Sequence, residues 1–223
     1  MAIKRSYSDA CAAAHALNLV GERWALLIVR ELLLGPKRFT DLKVGLPGVS
    51  PNVLTQRLNE LETAQVIKRR KLPMPASAWV YELSDWGREL EPIILQLARW
   101  GVQSTAFTRP IGLGVDSMIL SLRAMFNPQA AQDYTATVEI SLAEDQFVVQ
   151  VADSHIVLTR GSARQADARI QTDPDTLVML AYGKADLNQA IQTGKLALAG
   201  SKAVIESFLS LFSLPRQVSE EAS

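Results

Sequence analysis

At 223 residues, with 48% apolar and 21% charged side chains, the chain is long enough for one large or two ordinary globular domains. No apolar run approaches the roughly 20 residues needed to cross a bilayer, no signal-peptide core follows the first charges, and a single cysteine excludes an intramolecular disulfide. These features predict a protein of the reducing cytoplasm that stays off the membrane. Net charge is zero, yet residues 1–107 hold 14 basic against 10 acidic side chains and residues 108–223 hold 9 against 13. The halves therefore stand at +4 and −4, and only the first suits a polyanion.

Ser8 is placed to cap a helix over residues 9–20, which is nearly all Ala, Leu and Val and contains Cys11 and His15. A helix apolar on every side needs cover that a small domain cannot supply alone, and a partner chain can provide it. After Gly21, residues 23–34 read as a second helix with Trp24, Leu27, Ile28, Leu32 and Leu33 available for burial. Gly35 and Pro36 close it in the usual order. Lys37 and Arg38, placed to touch backbone phosphates, lead into a short amphipathic turn of helix over residues 39–43. Residues 45–49, Gly-Leu-Pro-Gly-Val, make a tight connection.

The next helix organises the first half. Ser50 caps it and Pro51 takes the first helical position, where its missing N–H costs nothing. Leu54, Leu58 and Leu61 fall on one face for the core, with Val53 alongside. The opposite side carries Asn52, Thr55, Gln56 and Asn59, short hydrogen-bonding side chains of a kind that reads base edges in a major groove. Arg57 lies between the faces, able to reach a phosphate or to brace the helix against a neighbour. Two helices joined by a Gly-containing turn form a helix-turn-helix. Strand-like residues 67–72 follow, with Lys68, Arg69, Arg70 and Lys71 in succession; a Pro-rich loop and a second strand over residues 78–83 complete a hairpin with a basic edge. Lys68, Arg70 and Lys71 are the expected phosphate contacts there. Residues 84–107 read as a long helix, with Pro92 as an interior obstacle.

Cys11, the run Gly21-Glu22-Arg23-Trp24, residues 30–39, Thr55-Gln56-Arg57-Leu58 and Tyr81-Glu82-Leu83-Ser84 with Gly87 together resemble the HxlR family of bacterial winged-helix transcriptional regulators. The similarity covers about residues 8–105. It implies a homodimer held by the first and last helices of the domain, with the helix from Ser50 in the major groove of double-stranded DNA and the wing on the adjacent backbone. It also implies, for some members, oxidant or electrophile sensing through a cysteine at the position of Cys11.

Residues 108–114 read as a linker. Residues 116–126 form a helix with Met118, Leu122 and Phe126 on one face; the apolar period then changes from 3.6 to 2. Strands through Val138-Ile140-Leu142, Phe147-Val149-Val151 and Ile156-Leu158 make a three-strand meander, and residues 168–172 are a fourth strand. Helices over 174–182 and 186–192, a strand over 195–199 and a helix over 202–212 complete the pattern, and residues 215–223 form a flexible tail. With Asp173, Gly183-Lys184-Ala185-Asp186 and the run from Gly194 to Gly200, residues 112–214 resemble the sterol-carrier-protein fold. That resemblance implies a curved five-stranded sheet covered by helices, with an apolar space for a small greasy ligand. Met118, Leu122, Phe126, Leu177, Leu180, Ile191, Phe208 and Phe212 are the candidate lining, or simply a core.

Catalysis has little to work with. His15 and His155 fall in different domains, and no zinc-ligand spacing, phosphate-cradling loop or nucleophile elbow occurs, so neither metal nor cofactor is expected. The sequence thus predicts a two-domain α+β protein: a mainly helical winged helix-turn-helix at 1–107 and a sterol-carrier-like domain at 115–214. The expected function is a dimeric DNA-binding regulator on a palindromic operator, modulated by a small apolar ligand, and not an enzyme. The competing reading is an apolar-ligand carrier whose winged helix serves protein contacts.

Overall fold

The computed structural model describes residues 7–108, 112–183 and 185–218, and the chain divides into two compact units, residues 1–94 and 95–223. In the first unit the helices α1 (Ala12–Val20), α2 (Ala25–Leu32), α3 (Phe39–Gly45) and α4 (Pro51–Thr63) precede a two-stranded hairpin, β1 (Ile67–Lys71) and β2 (Trp79–Leu83), and the short helix α5 (Asp85–Arg88). Their apolar faces converge on one core. Ile28, Val29, Leu42, Leu54, Leu58 and Leu61 are buried there with Ile67 and Leu83 at the base of the hairpin. At about 2–5 kcal/mol per leucine truncated to alanine, the α4 stripe is a major share of what holds the unit together.

Several boundaries differ from the sequence reading. α1 starts three residues late because Asp9 turns back and its carboxylate accepts the N–H of Cys11 (2.9 Å), leaving Cys11 rather than Ser8 at the helix cap. α2 starts late because Trp24 takes a left-handed conformation, φ 79°, which a right-handed helix cannot include. The long helix expected over 84–107 is two helices, α5 and α6 (Glu91–Gly101), so Pro92 stands in the first turn of α6, where a proline is tolerated. Ser84 caps α5, accepting the N–H of Gly87 at 2.9 Å while its hydroxyl donates to the Gln65 and Val66 carbonyls. A side chain at Gly87 would lie 2.0 Å from the Val66 carbonyl oxygen, so only glycine lets α5 dock there.

In the second unit α7 (Val115–Ala124) is followed by β3 (Ala136–Leu142), β4 (Asp145–Ala152), β5 (His155–Arg160), β6 (Ala168–Thr172), α8 (Pro174–Tyr182), α9 (Leu187–Gln192), β7 (Ala197–Gly200) and α10 (Lys202–Ser210). The five strands form one sheet in the order β5-β4-β3-β6-β7. All pairs are antiparallel except β3 with β6, which run parallel with Ile140 opposite Ile170. The β4–β5 turn puts both Asp153 and Ser154 at positive φ, the geometry whose twist suits a two-residue hairpin. Along β3 the buried Val138, Ile140 and Leu142 face the helices, which bury Met118, Leu122, Leu177 and Phe208 from their side. Of the expected linker, Arg109, Pro110 and Ile111 lie outside the described residues, as does Lys184 of the sterol-carrier motif. Gln217 and Val218, expected in a frayed tail, are tied down: the Val218 N–H donates to the Gln103 carbonyl at 2.9 Å, and the Gln217 amide donates to the Ser104 carbonyl.

Candidate nucleic-acid interface

Burying Leu54, Leu58 and Leu61 turns the other side of α4 to solvent, so Asn52, Thr55, Gln56 and Asn59 are all exposed on one face. Ser50 uses its hydroxyl to accept the Val53 N–H (3.3 Å), and the Thr55 hydroxyl donates to the Pro51 carbonyl (2.9 Å). The Gln56 amide donates to Glu60 at 2.9 Å. Arg57 takes the bracing arrangement of its two alternatives. Its guanidinium pairs with Glu60 and with Glu22 (3.2 Å), and its side chain is only 14% exposed.

Lys37 and Arg38 diverge. The Lys37 ammonium sits 2.6 Å from Glu31, a carboxylate that is almost wholly buried and also receives the Arg30 guanidinium at 2.8 Å. The Lys37 backbone bridges to Tyr81 of β2 through a reciprocal pair of hydrogen bonds. Lys37 thus ties α2 to the hairpin. Arg38 remains exposed at the N-terminus of α3, its N–H donating to Asp41. Nothing in the residue pair Arg30-Glu31 signals this; it reads as a solvated surface pair until packing buries the acid.

Strand alternation divides the four cations of β1 between the hairpin's two faces. Lys68 and Arg70 share a face with Glu82, 3.3 Å and 2.7 Å from its carboxylate oxygens. Burial pushes the Glu82 carboxyl up, but the hydrogen bonds and charges of Arg70 and Lys68 prevail and hold it below the usual carboxylate range. Arg69 and Lys71 lie on the other face, opposite Tyr81 and Trp79. The Arg69 guanidinium stacks over Trp79, 4.7 Å from the ring centre, and beside Tyr81 at 5.8 Å. Arg69 is not among the expected contacts; the hairpin register, which sets it opposite Tyr81 and diagonal to Trp79, is what marks it.

Cys11 is exposed at the N-terminus of α1, and the backbone N–H groups of Ala14 and Ala13 hold its thiol below the ordinary value. Leu17 on α1 and Ile93, Leu97 and Trp100 on α6 are exposed large apolar side chains.

In the second unit most of the candidate ligand residues are buried. Met118, Leu122, Leu177 and Phe208 are fully buried, Phe126, Leu180 and Phe212 nearly so, Ile191 partly. Phe208 meets Phe212 edge-on with ring centres 4.9 Å apart. Leu180 and Phe212 also border an open groove of about 400 Å³ with Leu187, Leu209, Asp186 and Glu206. Among the described residues no cluster of His, Cys, Asp or Glu has the grouping of a metal site, and no helix is long and apolar enough to cross a membrane.

A buried three-helix scaffold that presents a polar helix face beside a basic hairpin is a winged helix-turn-helix, the build of a DNA-binding protein. Residues 19–107 match the model of the HxlR-like helix-turn-helix family. Over 88 residues the chain is 38% identical to the HTH-type transcriptional regulator YvaP of Bacillus subtilis (strain 168), covering 40% of this chain and 82% of that protein. It is 34% identical over 88 residues to the HTH-type transcriptional regulator YodB of the same organism, covering 40% and 79%. The chain belongs to the HxlR-like helix-turn-helix family. Residues 113–218, where the sequence resembled the sterol-carrier fold, match instead the model of the alkyl sulfatase C-terminal family. The structure of the sec-alkylsulfatase Pisa1 from Pseudomonas sp. is similar at 21% identity and a TM-score of 0.43, covering 45% of this chain and 16% of that one.

Proposed function

We propose that the protein is a cytoplasmic transcriptional regulator that binds a palindromic operator as a homodimer, with α4 in the major groove and the wing on neighbouring phosphates. The observation that carries this reading is the exposed polar face of α4, Asn52, Thr55, Gln56 and Asn59, backed by a fully buried leucine face that fixes its orientation. Arg38, Ser50 and the wing cations supply the backbone contacts. Leu17, Ile93, Leu97 and Trp100, apolar and exposed, support dimerisation through α1 and α6. A two-fold dimer then sets half-sites about 34–36 Å apart or a multiple of that. The test is a gel shift on DNA flanking the gene against random competitor. Gln56→Ala should relax preference at one base pair at a cost of about 1–3 kcal/mol. An equal change on specific and random duplexes would refute base reading.

The C-terminal unit serves in this proposal as an effector module that takes a small apolar ligand at the groove beside Leu180 and Phe212. Thermal shift with fatty acids, sterol-like and aromatic compounds, followed by titration of any hit on the DNA complex, tests it. Linkage requires the duplex to change that compound's affinity by the same factor as the compound changes the duplex's. The same groove favours the carrier reading, which predicts ligand uptake with no duplex binding. Cys11, exposed and capped by backbone N–H groups, is the proposed sensor thiol. Loss of duplex release by hydrogen peroxide in Cys11→Ser is its expected signature.

A further inference from the structure

The two faces of the wing differ in how their cations are occupied. On one face Glu82, buried and opposite Lys68 in the strand register, holds both Lys68 and Arg70. Lys68 and Arg70 therefore each already have an acidic partner. A phosphate docking there would have to displace a carboxylate already bonded to Arg70 at 2.7 Å and would meet that carboxylate's repulsion at close range. On the other face Arg69 and Lys71 stand opposite Tyr81 and Trp79, neither of which is acidic. The Arg69 guanidinium lies over Trp79, 4.7 Å from the ring centre, a cation–π contact that restrains the side chain and brings no acidic partner to the N–H fork that matches a phosphate. Trp79 is itself half exposed, which places the stacked pair at the surface.

We infer that the wing grips the DNA backbone through Arg69 and Lys71, with Trp79 as the platform that orients Arg69, and that Glu82 withholds Lys68 and Arg70 from it. The inference rests on the DNA-binding reading and sorts the wing cations within it. It departs from the expectation that Lys68, Arg70 and Lys71 act alike. Arg69 becomes a backbone contact of this wing, and Glu82 a residue that limits affinity.

The experiment measures affinity by fluorescence anisotropy between 50 and 200 mM salt. The probe is a duplex enriched from random sequence by the wild-type chain, with a shuffled duplex beside it. Each phosphate contact contributes about 0.9 to the slope of log affinity against log salt, so over this range it makes binding about 3.5-fold more salt-sensitive. Arg69→Ala and Lys71→Ala should each remove one such increment on both duplexes. Lys68→Ala and Arg70→Ala should leave the slope close to wild type, and Glu82→Gln should steepen it by about one increment. Arg69→Lys keeps the charge but not the fork, so its slope should persist while affinity falls, a result that misfolding would not produce. Slopes lowered by Lys68→Ala and Arg70→Ala but not by Arg69→Ala would overturn the inference while leaving the DNA-binding reading intact, as would a Glu82→Gln slope equal to wild type. A wild-type chain that enriches no duplex would sink both.

Discussion

Gly45→Ala should destabilise the first unit, and the cause should be Glu31. A Cβ at Gly45 would lie 2.2 Å from the Glu31 carboxylate oxygen and 2.9 Å from its carboxyl carbon. A flexible acid at the surface would swing away at little cost. Glu31 cannot, because it is buried and pinned by Arg30 at 2.8 Å and Lys37 at 2.6 Å. Overpacking a fixed site costs about 1–3 kcal/mol, while replacing glycine within a helix returns about 0.5–1 kcal/mol. The net loss should be about 1–2 kcal/mol, moving a urea midpoint by about 0.5–1 M at an m-value near 2 kcal/mol/M. Tryptophan fluorescence is the suitable probe, since Trp24, Trp79 and Trp86 lie in the first unit and only Trp100 in the second. In a Glu31→Ala background the obstruction is gone, so adding Gly45→Ala should be neutral or stabilising, a coupling of about 1.5–3 kcal/mol. Equal costs in both backgrounds would refute the packing argument.

Ser84→Ala removes the cap of α5 and the hydroxyl donated to Gln65 and Val66, and should cost about 1 kcal/mol in the same urea assay. The Cys11 thiol should alkylate with iodoacetamide at a pH midpoint below that of the urea-unfolded chain, because the Ala14 and Ala13 N–H groups favour the thiolate. Its depressed value means that folding gains stability as pH rises from the folded towards the unfolded value, and keeps that gain above it. Leu97→Glu with Trp100→Glu should shift the sedimentation of the full chain to monomer while its far-UV circular dichroism is kept, since both side chains are exposed in the single chain. A dimer that survives both charges would place the contact elsewhere. Alkaline titration should show the Tyr134 phenol ionising at about 12, held up by burial and then by the charge of Asp167. That raised value stabilises the fold at lower pH and is lost as pH climbs from 10 towards 12.

The elements most legible in the sequence were those whose own residues decide them. Ser50-Pro51 with Leu54, Leu58 and Leu61 carries cap, start and buried face in one stretch, and α4 runs as read. The meander was equally plain, because alternation at Val138, Ile140 and Leu142 and turn residues at Asp153-Ser154 are local signals. What escaped depended on residues distant in sequence. The roles of Lys37, Lys68 and Arg70 follow from Glu31 and Glu82, whose burial no local pattern announces. The candidate ligand residues read as lining or, more readily, as core; periodicity tells which side is apolar, not whether the space beyond it is empty.

The parallel pairing of β3 with β6 also has a consequence for the order of assembly. β3 is the middle strand and is synthesised before both of its neighbours. Its antiparallel partner β4 follows after a two-residue turn, whereas β6 returns only after the chain has passed through β4 and β5. Closing the longer loop costs more entropy, and the reward of β3–β6 contacts comes only once it is closed. The sheet should therefore nucleate as the β3–β4–β5 meander and grow towards β7, the four-residue edge strand, last. Pulse-labelled hydrogen exchange during refolding should find the Val149 and Ile140 amides protected before that of Leu198. A nascent chain stalled before β6 would expose one whole side of β3 to any other unpaired strand, so the pace of synthesis through residues 161–172 bears on whether this protein folds or aggregates.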